Sequence, residues 1–119
     1  MIKEKAIETL TIEIDALQKL LDRVDDEFEA AVRAILACKA RVIVTGIGKS
    51  GHVGQKIAAS LASTGTPAFF MHPAEAFHGD LGMVTQHDIV LAISNSGETN
   101  EIVNILPVIR RIGAQIIAL

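Results

Sequence analysis

Apolar residues in the first third of the chain recur at every third or fourth position, which is the period of a helix. From residue 2 to residue 21 they form a single stripe, so the pattern predicts one helix there. A second helix is predicted after Asp25, ending at about Cys38. The positions of this helix that we expect to face inward are Phe28, Val32, Ile35 and Leu36. Residues 1–40 are therefore predicted to be N-terminal helices that pack on the domain that follows.

From Arg41 onward, short apolar runs alternate with helix-like segments. Short runs rich in β-branched residues are typical of buried strands. Strands are predicted at 41–45, 68–71, 88–93 and 115–119, and helices at 50–63 and 99–112. Gly113 is expected to stop the last helix in a left-handed conformation. The alternation predicts an α/β fold, a doubly wound parallel sheet with helices on both faces and right-handed crossovers.

The last predicted strand ends with the sequence, at Leu119, and no helix follows it. A strand in a parallel sheet needs cover on both faces. We therefore expect residues 41–119 to be a partial domain, with four strands present.

Composition limits the classes of partner. The chain has 119 residues, enough for one domain, and 50% of them are hydrophobic. Aromatic residues make up only 3% and the net charge is -3, which argues against a nucleic-acid partner. No apolar run approaches the ~18–20 residues that span a bilayer, and no signal peptide is evident. With a single cysteine, Cys38, the chain is predicted to be cytoplasmic, with no membrane partner.

Residues 94–101 place hydroxyl groups between a predicted strand and a predicted helix. The N–H groups at a helix start are free to bind an anion, so Ser94, Ser96 and Thr99 predict a site for a phosphate monoester. A bound anion gains nothing from Glu98 and Glu101, so at least one of these carboxylates is a candidate for chemistry. The alternative is an ordinary helix start, with a side-chain cap and a capping glutamate.

Residues 46–51 form a second glycine-rich loop after a strand. They fit G-x-G-x-x-G, but Met71 ends the next strand where a dinucleotide site needs a carboxylate, and a P-loop needs glycine at Ile43. Both loops are instead predicted to aim at one edge of the sheet and, if their strands are neighbours, to share one small phosphorylated ligand. Lys49 would pair with its phosphate or with an oxygen that becomes negative. A solvated surface lysine is the alternative.

Residues 72–83 hold two histidines and two carboxylates near the same edge. His72 and His78 are six residues apart and could share a metal, but no cysteine or third nearby histidine completes a site. Contacts with sugar hydroxyls are the better interpretation.

Together these motifs closely resemble the sugar isomerase (SIS) domain and, within it, the arabinose-5-phosphate isomerases. The matching strings are 44–51, 62–67, 72–75, 78–83 and 93–99. The resemblance implies a five-stranded sheet of flavodoxin-like order, and a homo-tetramer with active sites shared between subunits. It also implies reversible interconversion of D-arabinose 5-phosphate and D-ribulose 5-phosphate, leading to the eight-carbon acid sugar of lipopolysaccharide.

The resemblance also implies roles for individual residues, with no cofactor required. Lys49 would steady the charged oxygens and Glu101 would transfer the proton. Inhibitory zinc would bind His72. The residues implied to hold the phosphate are Ser94, Ser96 and Thr99, assisted by Gly48 and Ser50 in the first loop. Those implied to face the sugar are Gly65, Thr66, His72 and His78.

In the family, a further glutamate, a histidine, the fifth strand and the paired CBS domains lie beyond the point that corresponds to Leu119. Because these parts of the family pattern are not in the sequence, the alternative is that the chain is a non-catalytic sugar-phosphate-binding module or an inactive fragment. A sugar-sensing transcriptional regulator would carry a basic helix-turn-helix ahead of the domain, whereas residues 1–40 are acidic.

Overall fold

Four parallel strands form the central sheet of the computed structural model, which describes residues 1–119. The strands are β1 (Val42–Gly46), β2 (Ala68–Phe70), β3 (Ile89–Ile93) and β4 (Gln115–Ala118). Their order in the sheet is β2-β1-β3-β4, and each neighbouring pair is parallel. The chain moves to one side of β1 to form β2 and then to the other side to form β3 and β4. This confirms the predicted doubly wound sheet.

Five α-helices accompany the sheet. They are α1 (Ile2–Leu21), α2 (Asp26–Ala37), α3 (Gly48–Ser63), α4 (Pro73–Ala76) and α5 (Asn100–Ile112). As predicted, α5 ends at Gly113, whose φ of 97° is left-handed. None of the helices combines the length and the apolar character that crossing a membrane would require.

The segment after β2, predicted as a loop, contains α4 and a 3-10 helix at Asp80–Met83. Nδ1 of His72 accepts a hydrogen bond from the N–H of Ala74 at 3.1 Å, and Pro73 occupies the first helical position. Proline suits this position because its missing N–H would have no partner there. A four-residue helix is too short to show a helical period in the sequence, so the pattern could not predict it.

The two faces of the sheet carry separate apolar clusters, because side chains alternate along each strand. One cluster packs under α4 and α5, and its largest members are Ile43, Met71, Val90, Ile105 and Ile109. The other packs under α3, and its buried members are Val42, Val44, Ala58, Leu91 and Ile93. With helices on both faces, β1 and β3 are buried along their whole length.

Residues 1–33 and residues 34–119 are two compact units. In the first unit, α1 has no buried residue and Phe28 is 56% exposed. In the second, Ile35 packs against the cluster under α3, whereas Leu36 is 75% exposed. The prediction that Phe28, Val32 and Leu36 face inward is wrong for this chain, in which all three are exposed. An apolar stripe shows which face of a helix is apolar, but it does not show whether another element covers that face. Packing of residues 1–40 on the domain stays a prediction.

A buried carboxylate ties together the starts of β1 and β3. The side chain of Asp88 accepts hydrogen bonds from the N–H of Thr85 (2.7 Å), the hydroxyl of Thr85 (3.0 Å) and the N–H of Arg41 (3.1 Å). The guanidinium of Arg41 lies 3.4 Å from it and also donates to the carbonyl of Met83. Burial alone would raise the pKa of Asp88, but these hydrogen bonds outweigh it and hold the pKa below its usual value.

A close backbone contact between β1 and α3 requires glycine at position 51. A Cβ atom there would lie 2.8 Å from the carbonyl oxygen of Gly46, which is backbone and cannot rotate away. We expect Gly51→Ala to lower the free energy of unfolding by about 1–3 kcal/mol, measured by urea denaturation. Gly82→Ala is the matched control, because a Cβ at Gly82 meets nothing within 4 Å. Equal losses in the two variants would contradict the packing argument.

Candidate functional site

The last residues of β1 and β3 lie side by side at the carboxyl edge of the sheet. Gly46 is paired with Ile93, so the residues that follow them, Ile47 and Ser94, leave the sheet together. This is also the point at which the chain connections diverge to opposite sides of the sheet. Such a switch point is where open α/β sheets bind their ligands. The two glycine-rich segments were predicted to share a ligand if their strands are neighbours, and β1 and β3 are neighbours.

The first glycine-rich segment is mostly helix rather than loop. Ile47 is the extended N-cap residue and α3 begins at Gly48, two residues earlier than predicted. Gly48, with a φ of 60°, allows the sharp change of direction after the strand. Lys49 and Ser50 therefore lie in the first turn of α3, where backbone N–H groups have no intrahelical acceptor. An anion at this edge would find both a cation and free N–H donors.

The second segment is a tight turn in which hydroxyl groups are brought together. The hydroxyl oxygens of Ser94 and Thr99 are 2.8 Å apart and hydrogen-bonded. Ser94 also accepts the N–H of Gly97 at 3.1 Å, and Ser96 accepts the N–H of Glu98 at 3.1 Å. These bonds hold the backbone in place between β3 and α5.

Thr99 is the N-cap residue of α5, but its side chain makes no capping hydrogen bond. The interpretation of this segment as an ordinary side-chain cap is therefore wrong. The hydroxyl of Thr99 is turned to Ser94 instead. The N–H groups at the start of α5 thus remain available, which is the arrangement that an anion site needs.

A cavity of about 410 Å³ lies between the start of α3 and the turn after β3. Its volume is in the range of small-molecule pockets. The cavity brings together three residues that the sequence placed in the site, and the full lining is Lys49, Ser50, Val53, Ile93, Ser94, Asn95 and Leu119. Ser96, Thr99 and Glu101 are not part of this lining and lie farther along the turn and the first residues of α5.

The sequence profile of the family described as "SIS domain" matches residues 35–119. The chain belongs to the SIS domain family. Among curated proteins, it is 60% identical over 111 residues to the arabinose 5-phosphate isomerase KdsD of Pseudomonas aeruginosa, covering 93% of the chain. It is 54% identical over 117 residues to the protein of the same name from Francisella tularensis, covering 96% of the chain. The chain spans only 34% and 36% of these two relatives.

Solved structures agree with this SIS assignment. An Escherichia coli CFT073 protein in complex with arabinose 5-phosphate superimposes with a TM-score of 0.86 at 44% identity, over 92% of this chain and 58% of that one. The phosphoheptose isomerase GmhA of Neisseria gonorrhoeae gives a TM-score of 0.82 over 99% of this chain and 74% of its own. At 16% identity, that likeness shows the fold alone.

Not every residue that was predicted to contact the sugar lies near the cavity of this SIS domain. Gly65 and Thr66 follow the end of α3 and precede β2, which puts them at the amino edge of the sheet. Lys49 is the second residue of the 16-residue helix α3 and Gly65 follows its end, so at ~1.5 Å per residue the helix separates them by roughly 24 Å. His72 follows β2 at the carboxyl edge and is exposed, and His78 is exposed after α4. The sugar contacts of all four residues stay predictions.

The structure offers no ready metal site in the SIS domain. No group of three or more His, Cys, Asp or Glu side chains is arranged to hold an ion. Nδ1 of His72 is occupied by the N–H of Ala74, so only Nε2 could bind a metal. Residues of this chain therefore do not complete a zinc site at His72, and zinc binding there stays a prediction.

Sequence reasoning did not place four of the lining residues in the site, namely Val53, Ile93, Asn95 and Leu119. Val53 is four positions after Lys49, and residues with that spacing share one face of a helix. Asn95 lies between Ser94 and Ser96. The sequence argument for a phosphate site rested on hydroxyl groups and gave no role to the carboxamide of Asn95. Once the helix start is placed at Gly48, the spacing rule would have found Val53.

Proposed function

We propose that this SIS domain belongs to an aldose–ketose isomerase that interconverts D-arabinose 5-phosphate and D-ribulose 5-phosphate. One observation carries the proposal, namely that Lys49 and the turn at Ser94 line a single cavity at the switch point of the sheet. Curated relatives of 60% and 54% identity are named arabinose 5-phosphate isomerases, and a 44% identical protein was solved with arabinose 5-phosphate. Because the chain spans about a third of those curated relatives, the activity is proposed for the protein that contains this domain.

The phosphate group would bind at the turn after β3. Ser94, Ser96 and Thr99 supply hydroxyl donors there, and the first turn of α5 supplies N–H groups and the positive end of the helix dipole. Gly48 and Ser50, in the first turn of α3, would assist from across the cavity. A phosphate monoester carries about two negative charges near neutral pH. The neutral hydroxyl and N–H donors can hydrogen-bond its oxygens, and the ammonium of Lys49 offsets part of its charge.

The isomerisation moves one carbon-bound proton and one hydroxyl proton, and it needs no redox partner. A base removes the proton from C2 of the open-chain aldose, and the electron pair forms the C1–C2 double bond of an enediolate. Return of the proton to C1, with transfer of the hydroxyl proton from O2 to O1, gives the ketose. We propose that the carboxylate of Glu101 carries the carbon-bound proton and that the ammonium of Lys49 stabilises the negative oxygens.

The family resemblance also implies an assembly of several subunits, which the structure of a single chain does not test. A tetramer with sites shared between subunits would allow Gly65 and Thr66, at the amino edge, to face a sugar held by another subunit. A role in lipopolysaccharide precursor synthesis, a cytoplasmic location, the absence of a required cofactor and zinc inhibition at His72 remain predictions.

The proposal is tested with two readouts on the protein that contains this domain, because the activity is proposed for that protein. Nuclear magnetic resonance follows conversion of arabinose 5-phosphate to ribulose 5-phosphate, and calorimetry measures binding of arabinose 5-phosphate and of inorganic phosphate. We expect ribulose 5-phosphate to accumulate to equilibrium and arabinose 5-phosphate to bind more tightly than phosphate. Glucose 6-phosphate serves as the non-substrate control.

Binding without conversion would overturn the isomerase proposal for the protein that contains this domain and favour the alternative, a sugar-phosphate-binding module. Absence of both binding and conversion would overturn any sugar-phosphate function for the protein that contains this domain. Equal conversion of glucose 6-phosphate would contradict the assigned substrate while leaving aldose–ketose chemistry in place.

A further inference from the structure

A second cavity lies at the amino edge of the sheet, opposite the edge that carries Lys49. Its volume is about 470 Å³, within the range of small-molecule pockets. It is enclosed by the end of α2, the turn before β3 and the end of α5, all within residues 34–119. No residue of the proposed isomerase site lines this amino-edge cavity. A molecule bound there would therefore be a separate ligand.

Positive charge gathers around the amino-edge cavity. Lys39 lies in its lining, and Arg110 and Arg111 lie in the last turn of α5, which ends at this edge. The single carboxylate of the lining, that of Asp88, is 3.4 Å from the guanidinium of Arg41 and is neutralised by it. The C-terminal ends of α2 and α5 together add about one negative charge, so the balance of the three remaining cations stays positive. The electrostatics of this edge favour an anion.

The groups that are free in the amino-edge cavity are hydrogen-bond donors beside an apolar wall. The ammonium of Lys39 forms no ion pair within the chain, and the side chain of Gln115 is exposed. The carboxylate of Asp88 is already occupied by hydrogen bonds from Thr85 and Arg41, so it does not compete for these donors. The apolar wall consists of Ala34, Ala37 and Ile89.

This combination distinguishes a carboxylate from a phosphate. A phosphate dianion is bound best by the free N–H groups at a helix start, and α3 and α5 both begin at the opposite edge. A carboxylate needs fewer donors, because its two oxygens can accept from one ammonium and one carboxamide. The C–H groups of a short carbon skeleton would cover the apolar wall. The ligand that fits is a small organic acid.

The wall formed by the turn before β3 is held in place without a ligand. The hydroxyl of Thr85 donates to Asp88 at 3.0 Å and accepts the N–H of His87 at 3.3 Å. The thiol of Cys38 donates to the carbonyl of His87, with the sulfur 3.6 Å from the oxygen. The N–H of Gln115 donates to the carbonyl of Asp88 at 3.3 Å. A preformed wall lowers the cost of ordering on binding.

We propose that the amino-edge cavity binds a small organic carboxylate, whose oxygens accept hydrogen bonds from Lys39 and Gln115. The thiol of Cys38, half-buried in the lining, reports whether the cavity is filled. The experiment measures the rate at which iodoacetamide alkylates Cys38, by mass spectrometry of the peptide that contains it, in the protein that contains this domain. Three probes are compared at equal concentration: malate, its uncharged diamide and inorganic phosphate.

We expect malate to slow the alkylation of Cys38, and the diamide and phosphate to leave it unchanged. Lys39→Gln should raise the malate concentration that gives half-protection about fivefold, the size of a partly exposed ion pair. Gln115→Glu should raise it at least as much, because the new carboxylate repels malate. Lys19→Gln, on the exposed surface of α1, is the matched control and should not change it. Each variant is compared with its own rate in the absence of malate.

The absence of protection by malate would overturn the proposal. Equal protection by the diamide would also overturn it, because the cavity would then not recognise the charge. Equal protection by phosphate would contradict the assignment to carboxylates and indicate an adventitious ion only. An unchanged half-protection concentration in both Lys39→Gln and Gln115→Glu would show that malate acts elsewhere. Conversion of arabinose 5-phosphate enters none of these readouts, so this inference and the proposed function can fail separately.

Discussion

Replacing Glu101 with glutamine is expected to lower kcat by about 10²- to 10⁴-fold, the usual contribution of a general base. The affinity for arabinose 5-phosphate should stay within about twofold, because a group that acts only in the transition state adds little to substrate binding. Glutamine has nearly the same shape as glutamate but cannot accept the proton from C2. The comparison uses the conversion assay and the calorimetric affinities together.

Glu101 and Glu98 lie in different parts of the structure. Glu101 is the second residue of α5, carried by a regular helix that begins directly after the turn. Glu98 lies in the turn itself, and its N–H is bound by Ser96. Glu98→Gln is therefore the matched control, with the same change of charge three residues away, and it should retain most of the turnover. An unaltered kcat in Glu101→Gln would exclude Glu101 as the base. A larger loss of kcat in Glu98→Gln than in Glu101→Gln would indicate that Glu98 is the base.

The second large effect is expected at Asp88, far from the site. Asp88→Asn should lower the free energy of unfolding at pH 7 by about 1–3 kcal/mol, the cost of leaving a buried hydrogen-bonding group without its partner. The side chain of Asp88 is fully buried and accepts N–H groups from two segments of the chain. An asparagine would direct its own N–H donors at one of them and leave the guanidinium of Arg41 with only the carbonyl of Met83.

The loss at Asp88 should depend on pH in a definite direction. The pKa of Asp88 is lower in the folded chain than the usual value of 3.8, so the carboxylate stabilises the fold above that value. This stability disappears as the pH falls through the folded pKa. Urea denaturation from pH 7 to pH 2 should therefore show wild type and Asp88→Asn converging below about pH 4.

Two variants keep the test of Asp88 informative. Asp15→Asn, on the exposed surface of α1, should change stability by less than about 0.5 kcal/mol. Thr85→Ala removes the hydroxyl that donates to Asp88 at 3.0 Å and accepts the N–H of His87 at 3.3 Å, and it should cost about 1 kcal/mol. It therefore tests the same network if Asp88→Asn does not fold. A gap between wild type and Asp88→Asn that stays constant down to about pH 2 would contradict the assigned pKa.

The buried strands were the most predictable part of the fold. Apolar runs placed the starts and ends of β1 and β3 within one residue, because strands buried on both faces consist of continuous hydrophobic residues. Helix α5 was equally clear, since its apolar period and Gly113 both mark it. The start of α3 was misplaced by two residues because glycines normally indicate a loop, whereas Gly48 begins the helix with a positive φ.

The site was predictable only in part, for a geometric reason. The motif residues Lys49, Ser50 and Ser94 meet because their strands are neighbours, and two strand–loop–helix units in succession favour that arrangement. Gly65 and Thr66 belong to an equally distinctive motif but follow the far end of α3, so within one chain they lie at the opposite edge. A sequence motif indicates that its residues serve a common function, but it does not show at which edge of the sheet they lie.

The pairing of Gly46 with Ile93 also links ligand binding to folding. The two halves of the cavity are distant in the sequence and meet only after β1 and β3 have paired, so an unfolded chain has no site to offer. A ligand that binds only the folded chain stabilises it by mass action, about 2.7 kcal/mol at a hundred times its Kd. A ligand that fills this cavity would then protect the domain from unfolding and proteolysis.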